Sequence, residues 1–185
     1  MRSLRVFDNV SLDGYFVDTK GDMSWAHKRD DEWNAFASGN ASGHVELLFG
    51  RVTYQMMAAF WPTPQAAQML PAVAAGMNAM RKYVCSRTLR EASWQNTTFL
   101  QGDLADAVAR LKETPGPDIV ILGSGSLVSQ LTSARLIDGY DIVINPVALG
   151  AGRTLFETVT ERVALTVTNV RSFTNGNMVV SYARA

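Results

Sequence analysis

The sequence predicts an α/β protein: a three-layer αβα arrangement around a central mixed, mostly parallel sheet, with a C-terminal β-hairpin. Three observations carry that expectation. Short apolar runs alternate with helix-periodic segments along most of the chain, the pattern of strands joined by helical crossovers. Several of those runs end in glycine or in a turn-like cluster, as strands do at a sheet edge. Near the C-terminus, two alternating runs flank Thr174-Asn175-Gly176-Asn177, a hairpin signal that makes the sheet mixed.

In order, Leu4 to Val10 reads as a first strand that runs into Ser11-Leu12-Asp13-Gly14 and a long loop. Asp30 to Phe36 reads as a helix, because Asp30, Asp31 and Glu32 place negative charge at the positive end of its dipole. Val45 to Phe49 is a strand closed by Gly50, and Arg51 to Phe60 is a helix stopped by Pro62. Thr63 to Met80 is Ala/Met-rich and helical, with Pro71 interrupting it. Lys82 to Cys85 and Thr97 to Leu100 are strands. Leu104, Ala107, Val108 and Leu111 mark one face of a helix from Leu104 to Lys112, capped by Asp103. The strongest strand, Asp118 to Leu122, leads through Gly123-Ser124-Gly125-Ser126-Leu127 into a helix reaching Leu131. Tyr140 to Ile144 is a buried strand ending at Asn145-Pro146. The hairpin arms are Val163 to Phe173 and Met178 to Tyr182.

With 185 residues, 47% hydrophobic and 18% charged, the expectation is one globular domain over residues 1–185. Seventeen basic and seventeen acidic residues balance, so no overall field favours nucleic acid or an anionic membrane, and any anion site must be local. Met1 to Val6 has no apolar stretch of signal-peptide length and no later run approaches a membrane span. A soluble cytoplasmic protein is expected. Cys85 stands alone in an apolar run and reads as a buried structural thiol. His27 and His44 are too few for a metal site, so no metal is expected. The Met/Ala-rich stretch from Met56 to Met80 reads as core helix, or as a lid or dimer surface.

Three segments suit phosphate. Gly123-Ser124-Gly125-Ser126 follows a strand and opens a helix, which brings close backbone approach and unpaired N–H groups to one place. The same residues suit a tight turn with no ligand. As a Rossmann fingerprint they place Val128 where Gly or Ala belongs, and no Gly-Lys-Ser/Thr follows to make a Walker A loop. Gly50-Arg51-Val52-Thr53 repeats the design with a guanidinium that suits the 2′-phosphate of NADPH. Ser86-Arg87-Thr88 offers a cation and hydroxyls after another strand. Each arginine alone also reads as a solvated surface residue. Together they sit at the strand ends where open α/β sheets bind ligands.

Ser11-Leu12-Asp13-Gly14-Tyr15-Phe16, Trp25, Gly50-Arg51-Val52-Thr53-Tyr54, Ser86-Arg87-Thr88, Gly123-Ser124-Gly125-Ser126-Leu127 and Asn145-Pro146-Val147-Ala148-Leu149-Gly150-Ala151-Gly152 occur in one order. This series resembles the dihydrofolate reductase superfamily, in particular the branch of the riboflavin-biosynthesis reductase C-terminal domain. The resemblance spans nearly the whole chain. It implies that Gly50, Arg51 and Thr53 hold cofactor phosphates, and that Ser86 and Arg87 lie beside the adenosine 2′-phosphate. It further implies that Gly123, Ser124, Gly125, Ser126 and Leu127 lie under the pyrophosphate and nicotinamide. Pro146, Leu149, Gly150 and Gly152 resemble the Pro-x-x-Leu-Gly-x-Gly of the riboflavin branch, and with Trp25 they imply the substrate side. Asp13 resembles the aspartate near nicotinamide and substrate. Asp30, five positions after Trp25 and followed by Trp33, resembles the acid of folate-reducing members. A helix N-terminus rich in acids accounts for the same residues without chemistry.

The expected activity is hydride transfer from NADPH to a C=N or C=O bond of a small heterocyclic or sugar-like substrate, as in a 5-amino-6-(5-phosphoribosylamino)uracil reductase. Asp13 or Asp30 would organise the proton, with a carboxyl pKa raised by partial burial beside Trp25. The alternatives are dihydrofolate reductase activity, a non-catalytic nucleotide-binding homodimer, and a fold whose glycine turns bind nothing. A homodimer is what the resemblance implies. No His-x-Glu with paired cysteines is present, so zinc deaminase chemistry is not expected.

Overall fold

The computed structural model describes residues 1–28, 30–41 and 44–185. Its centre is an eight-stranded sheet in the order β5-β4-β3-β6-β1-β7-β10-β9. The strands are β1 (Leu4–Ser11), β3 (Val45–Gly50), β4 (Lys82–Cys85), β5 (Thr97–Leu100), β6 (Asp118–Leu122), β7 (Gly139–Asn145), β9 (Leu165–Ser172) and β10 (Met178–Arg184). From β5 to β7 every pairing is parallel, while β10 runs antiparallel to β7 and β9 antiparallel to β10. The mixed, mostly parallel sheet with a terminal hairpin is the one the sequence predicts.

The helices are α1 (Asp31–Ala41), α2 (Arg51–Phe60), α3 (Pro64–Met69), α4 (Pro71–Ala79), α5 (Leu104–Glu113) and α6 (Gly125–Ser133). Strand alternation sorts the core into two layers of contacts. Leu4, Val6 and Val10 of β1 and Ile119 and Ile121 of β6 pack with Val108 and Leu111 of α5 and Leu127, Val128 and Leu131 of α6. On the opposite face Leu47, Phe49 and Val84 pack with Tyr54, Val73 and Met77 from α2 and α4. Beside them, Trp33 and Phe36 of α1 meet Phe7, Val143 and Phe173. Strands β3, β4 and β6 give residues to both layers, which explains their nearly continuous apolar sequences.

Polar groups lock the edges of this core. Lys82 is fully buried and donates to the carbonyl oxygens of Asn78, Met80 and Gln95. Arg5 of β1 makes two 2.9 Å bonds to Asp141 of β7. Pro71 divides the Ala/Met-rich stretch into α3 and α4 as expected, because its ring occupies the first turn of α4.

Three features differ from the sequence expectation. The helix expected to end at Phe36 runs on to Ala41. The long loop after β1 contains β2 (Tyr15–Val17), paired antiparallel with β8 (Arg153–Thr154). The loops after β1 and β7 are thereby zipped together over the sheet edge. Cys85 is half-buried at the end of β4, not sealed in the core, although burial still pushes its thiol up to about 12. Among the described residues no helix is long and apolar enough to cross a membrane, and no cluster of His, Cys, Asp and Glu could hold a metal ion.

Candidate functional site

The carboxyl ends of β1, β3, β4, β5 and β6 open into one cleft of about 1110 Å³. Parallel strands end on the same side, so the residues that follow them share an edge. Gly50, Arg51 and Thr53 after β3, Ser86 and Arg87 after β4, and Gly123 to Leu127 after β6 all line the cleft. These are all ten of the residues expected at the cofactor.

Two helix N-termini face this space. Among the described residues no side chain caps the first turn of α2 or α6. The first N–H groups of each have no partner within the helix and carry the positive end of its dipole. The two turns interlock through Ser124: its Oγ accepts from Gly50 N at 2.8 Å and donates to Thr53 Oγ1 at 2.8 Å. Gly50 is required there, since a Cβ would lie 2.8 Å from Ser124 Oγ. Ser124 itself sits in the left-handed region at φ 67, a conformation that costs energy and gathers at ligand sites. Gly125 lets the Phe16 ring close over α6, since a Cβ would lie 2.6 Å from it.

Charge is uneven around the rim. Arg51, Arg87, Arg90 and Arg153 line the cleft against two carboxyl groups, Asp8 and Asp103. Asp103 caps α5, accepting from Ala105 N and Asp106 N. Arg51 reaches Gln55 Oε1 at 2.9 Å, and Arg153 pairs with Glu157 with its guanidinium 5.8 Å from the Phe16 ring centroid. Ser86 Oγ accepts from Thr88 N and Leu89 N, which closes the turn carrying Arg87 to the mouth.

The residues expected on the substrate side are placed otherwise. Asp13, Asp30, Trp25, Pro146, Leu149 and Gly150 are not among those lining the cleft. The Asp13 carboxylate accepts from Ser11 Oγ at 2.6 Å and from the amides of Leu149 and Gly150. It fastens the Ser11–Gly14 turn to the Pro146–Gly152 loop. Those donors, Ser11 first, hold its pKa down at about 2. Asp30 accepts from Trp33 N at 2.7 Å and Thr174 Oγ1 at 2.8 Å, tying the start of α1 to the β9–β10 turn. Its pKa is lowered, first by the Trp33 amide. The raised carboxyl pKa expected for these two acids is corrected: bonds that favour an anion lower it. Trp25 lies in a 3-10 turn (Ser24–Ala26) and donates Nε1–H to Asp22 O at 3.2 Å.

The sequence reading passed over Asp8. It lies at the carboxyl end of β1, 4% exposed, and lines the cleft. Among the described residues its Oδ1 accepts only from its neighbour's amide, Asn9 N, and its buried Oδ2 has no partner. Burial pushes the carboxyl up to about 7. A signal for it was present: positions 4, 6 and 10 are Leu, Val and Val, so period-two alternation puts position 8 in the buried row.

Comparison with known proteins agrees with this fold. The family model of the RibD C-terminal domain matches residues 2–179. The uncharacterized Bacillus subtilis proteins YyaP and YwjB are 28% and 26% identical over 94% and 89% of the chain, covering 90% and 88% of their own lengths. A Shewanella sp. PV-4 protein assigned to riboflavin biosynthesis superposes with a TM-score of 0.74 at 22% identity, over 99% of both chains. The Thermotoga maritima diaminohydroxyphosphoribosylaminopyrimidine deaminase/5-amino-6-(5-phosphoribosylamino)uracil reductase gives 0.69 at 13% identity; the match spans all of this chain and 57% of that one. These two structures share the fold. With a family model matched along nearly its whole length, the chain belongs to the RibD C-terminal domain family, whose members have the dihydrofolate reductase-like fold.

Proposed function

We propose that the chain is an NADPH-dependent reductase acting on a C=N or C=O bond of a small heterocyclic or sugar-like substrate. The observation that carries this reading is the convergence of two uncapped helix N-termini and four arginines on one cleft. Such termini bind phosphate through backbone N–H groups and dipole together. The cleft also exceeds the roughly 300–1,000 Å³ of ordinary small-molecule sites, which leaves room for a dinucleotide and a second small molecule. When bound, NADPH supplies the hydride.

The residues divide the remaining work. The amides opening α2 and α6 take the pyrophosphate, and Gly123 and Gly125 keep the backbone close to it. Arg51 and Arg87 take the 2′-phosphate, where a planar guanidinium can bind two oxygens at once. Phe16, zipped down by β2 and β8, shields the inner end from water. Membership of a family whose structural neighbours include a named uracil reductase supports the choice of chemistry. A second copy of the chain, expected from the resemblance, would find an open edge at β9, where every residue is exposed.

Titration with NADPH and NADH, followed by tryptophan fluorescence and thermal shift, tests this reading. Saturable binding that favours NADPH is expected. Arg51→Ala and Arg87→Ala should each weaken NADPH about 10- to 100-fold, the loss of one charge-assisted bond, and leave NADH nearly unchanged. Binding of neither nucleotide would overturn the proposal.

A further inference from the structure

Of the two carboxyl groups lining the cleft, Asp103 spends its oxygen on the first turn of α5. Asp8 differs: its Oδ2 is buried and satisfied by nothing among the described residues. A buried polar group without a partner costs free energy unless something else completes it. The sheet register fixes where that oxygen is kept. Phe7 is paired with Leu122, so Asp8 lies level with Gly123 as β1 and β6 part, and on its other side it pairs with Ile142 of β7.

We infer that Asp8 is the proton donor of the cleft, its buried and unpartnered Oδ2 meeting the heteroatom of the substrate's reducible double bond beside the Gly123 turn. The inference rests on the reductase reading above. As hydride from the nicotinamide dinucleotide adds to the carbon of a C=N or C=O bond, the π pair moves onto nitrogen or oxygen. That atom takes the proton from Asp8: the carboxyl O–H bond breaks and an N–H or O–H bond forms. Asp8 is left as a carboxylate and recovers a proton from water through the open cleft.

Its surroundings suit the task. On its own strand Asp8 stands between Val6 and Val10, and β7 presents Ile142 to it. α6 and β2 add Gly125, Leu127 and Phe16 to the same cleft. Asp141, next to Ile142, is held by Arg5. Among the described residues the cleft's cations are Arg51, Arg87, Arg90 and Arg153, its other titratable groups Cys85 and Asp103. None of these contributes to the Asp8 shift, whose causes are burial and the Asn9 amide. A carboxyl half-protonated near neutrality is suited to giving up a proton there.

The test joins infrared spectroscopy, NADPH binding and turnover of 5-amino-6-(5-phosphoribosylamino)uracil and dihydrofolate, in the wild type and Asp8→Asn. A protonated-carboxyl C=O band should be present at pH 5.5, vanish by pH 8.5, shift when NADP⁺ fills the cleft, and be missing from Asp8→Asn. That variant should bind NADPH within threefold of the wild type. Its turnover of whichever compound the wild type reduces should fall about 100-fold or more, without the wild-type decline above neutral pH. A wild-type band that is absent, or indifferent to NADP⁺, overturns the inference, as does full turnover by Asp8→Asn. Wild-type protein that binds no NADPH shows instead that the cofactor reading has failed.

Discussion

Asp8 interrupts a row that otherwise reads Leu4, Val6, Val10, and its burial has a consequence for stability that needs no substrate. The unfolded chain ionises this carboxyl near the ordinary 3.8, the folded one only near 7. Between those values the folded protein holds more proton than the unfolded chain, so stability falls as pH rises through the window. The cost is absent below about 4 and complete above about 7, on the order of 4 kcal/mol. Asp8→Asn should remove most of that slope, read by urea unfolding from pH 4.5 to 8; parallel profiles would contradict the assignment. Asp13 teaches the opposite lesson. Its motif is visible in the sequence, but its carboxylate is taken by Leu149 and Gly150 more than 130 residues away. No local pattern announces such a partner. Asp30 was legible as a helix-start acid, and it serves as one.

Glycine and proline set some bounds to the residue. Those of α2 and β6 coincide with the expected ones, because Gly50, Pro62 and Gly123 leave the chain little choice; those of β4 and β5 coincide as well, with neither residue type at their ends. The β2–β8 ribbon was not legible. Strands of three and two residues carry no periodicity, and they form because two distant loops meet. That ribbon holds Phe16 against the start of α6, so the expected glycine turn has a role beyond phosphate approach. Gly125→Ala should destabilise the protein by about 1–3 kcal/mol, the usual cost of overpacking, since its Cβ would lie 2.6 Å from the Phe16 ring. It should weaken NADPH as well, by moving Phe16 within the cleft. Denaturant unfolding and the same titration check both; an unchanged midpoint would mean that the Phe16–Gly125 contact is not close in solution.

For the whole molecule, strand order does what no single motif can. Placing β6 between β3 and β1 brings Gly123 beside both Gly50 and Asp8, from three distant parts of the sequence. The lining of the cleft was legible because each of its segments follows a strand, and parallel strands end together. The other side was not, because tertiary contacts among loops decide which carboxyl is exposed, latched or buried. In the proposed complex NADPH lies across the openings of α2 and α6. Hydrogen exchange of the backbone amides, with and without saturating NADPH, tests it most directly. Slowed exchange concentrated in 50–53 and 123–127 is expected, with β9 and the β9–β10 turn unchanged. Protection confined to other segments, or none at saturation, would contradict it.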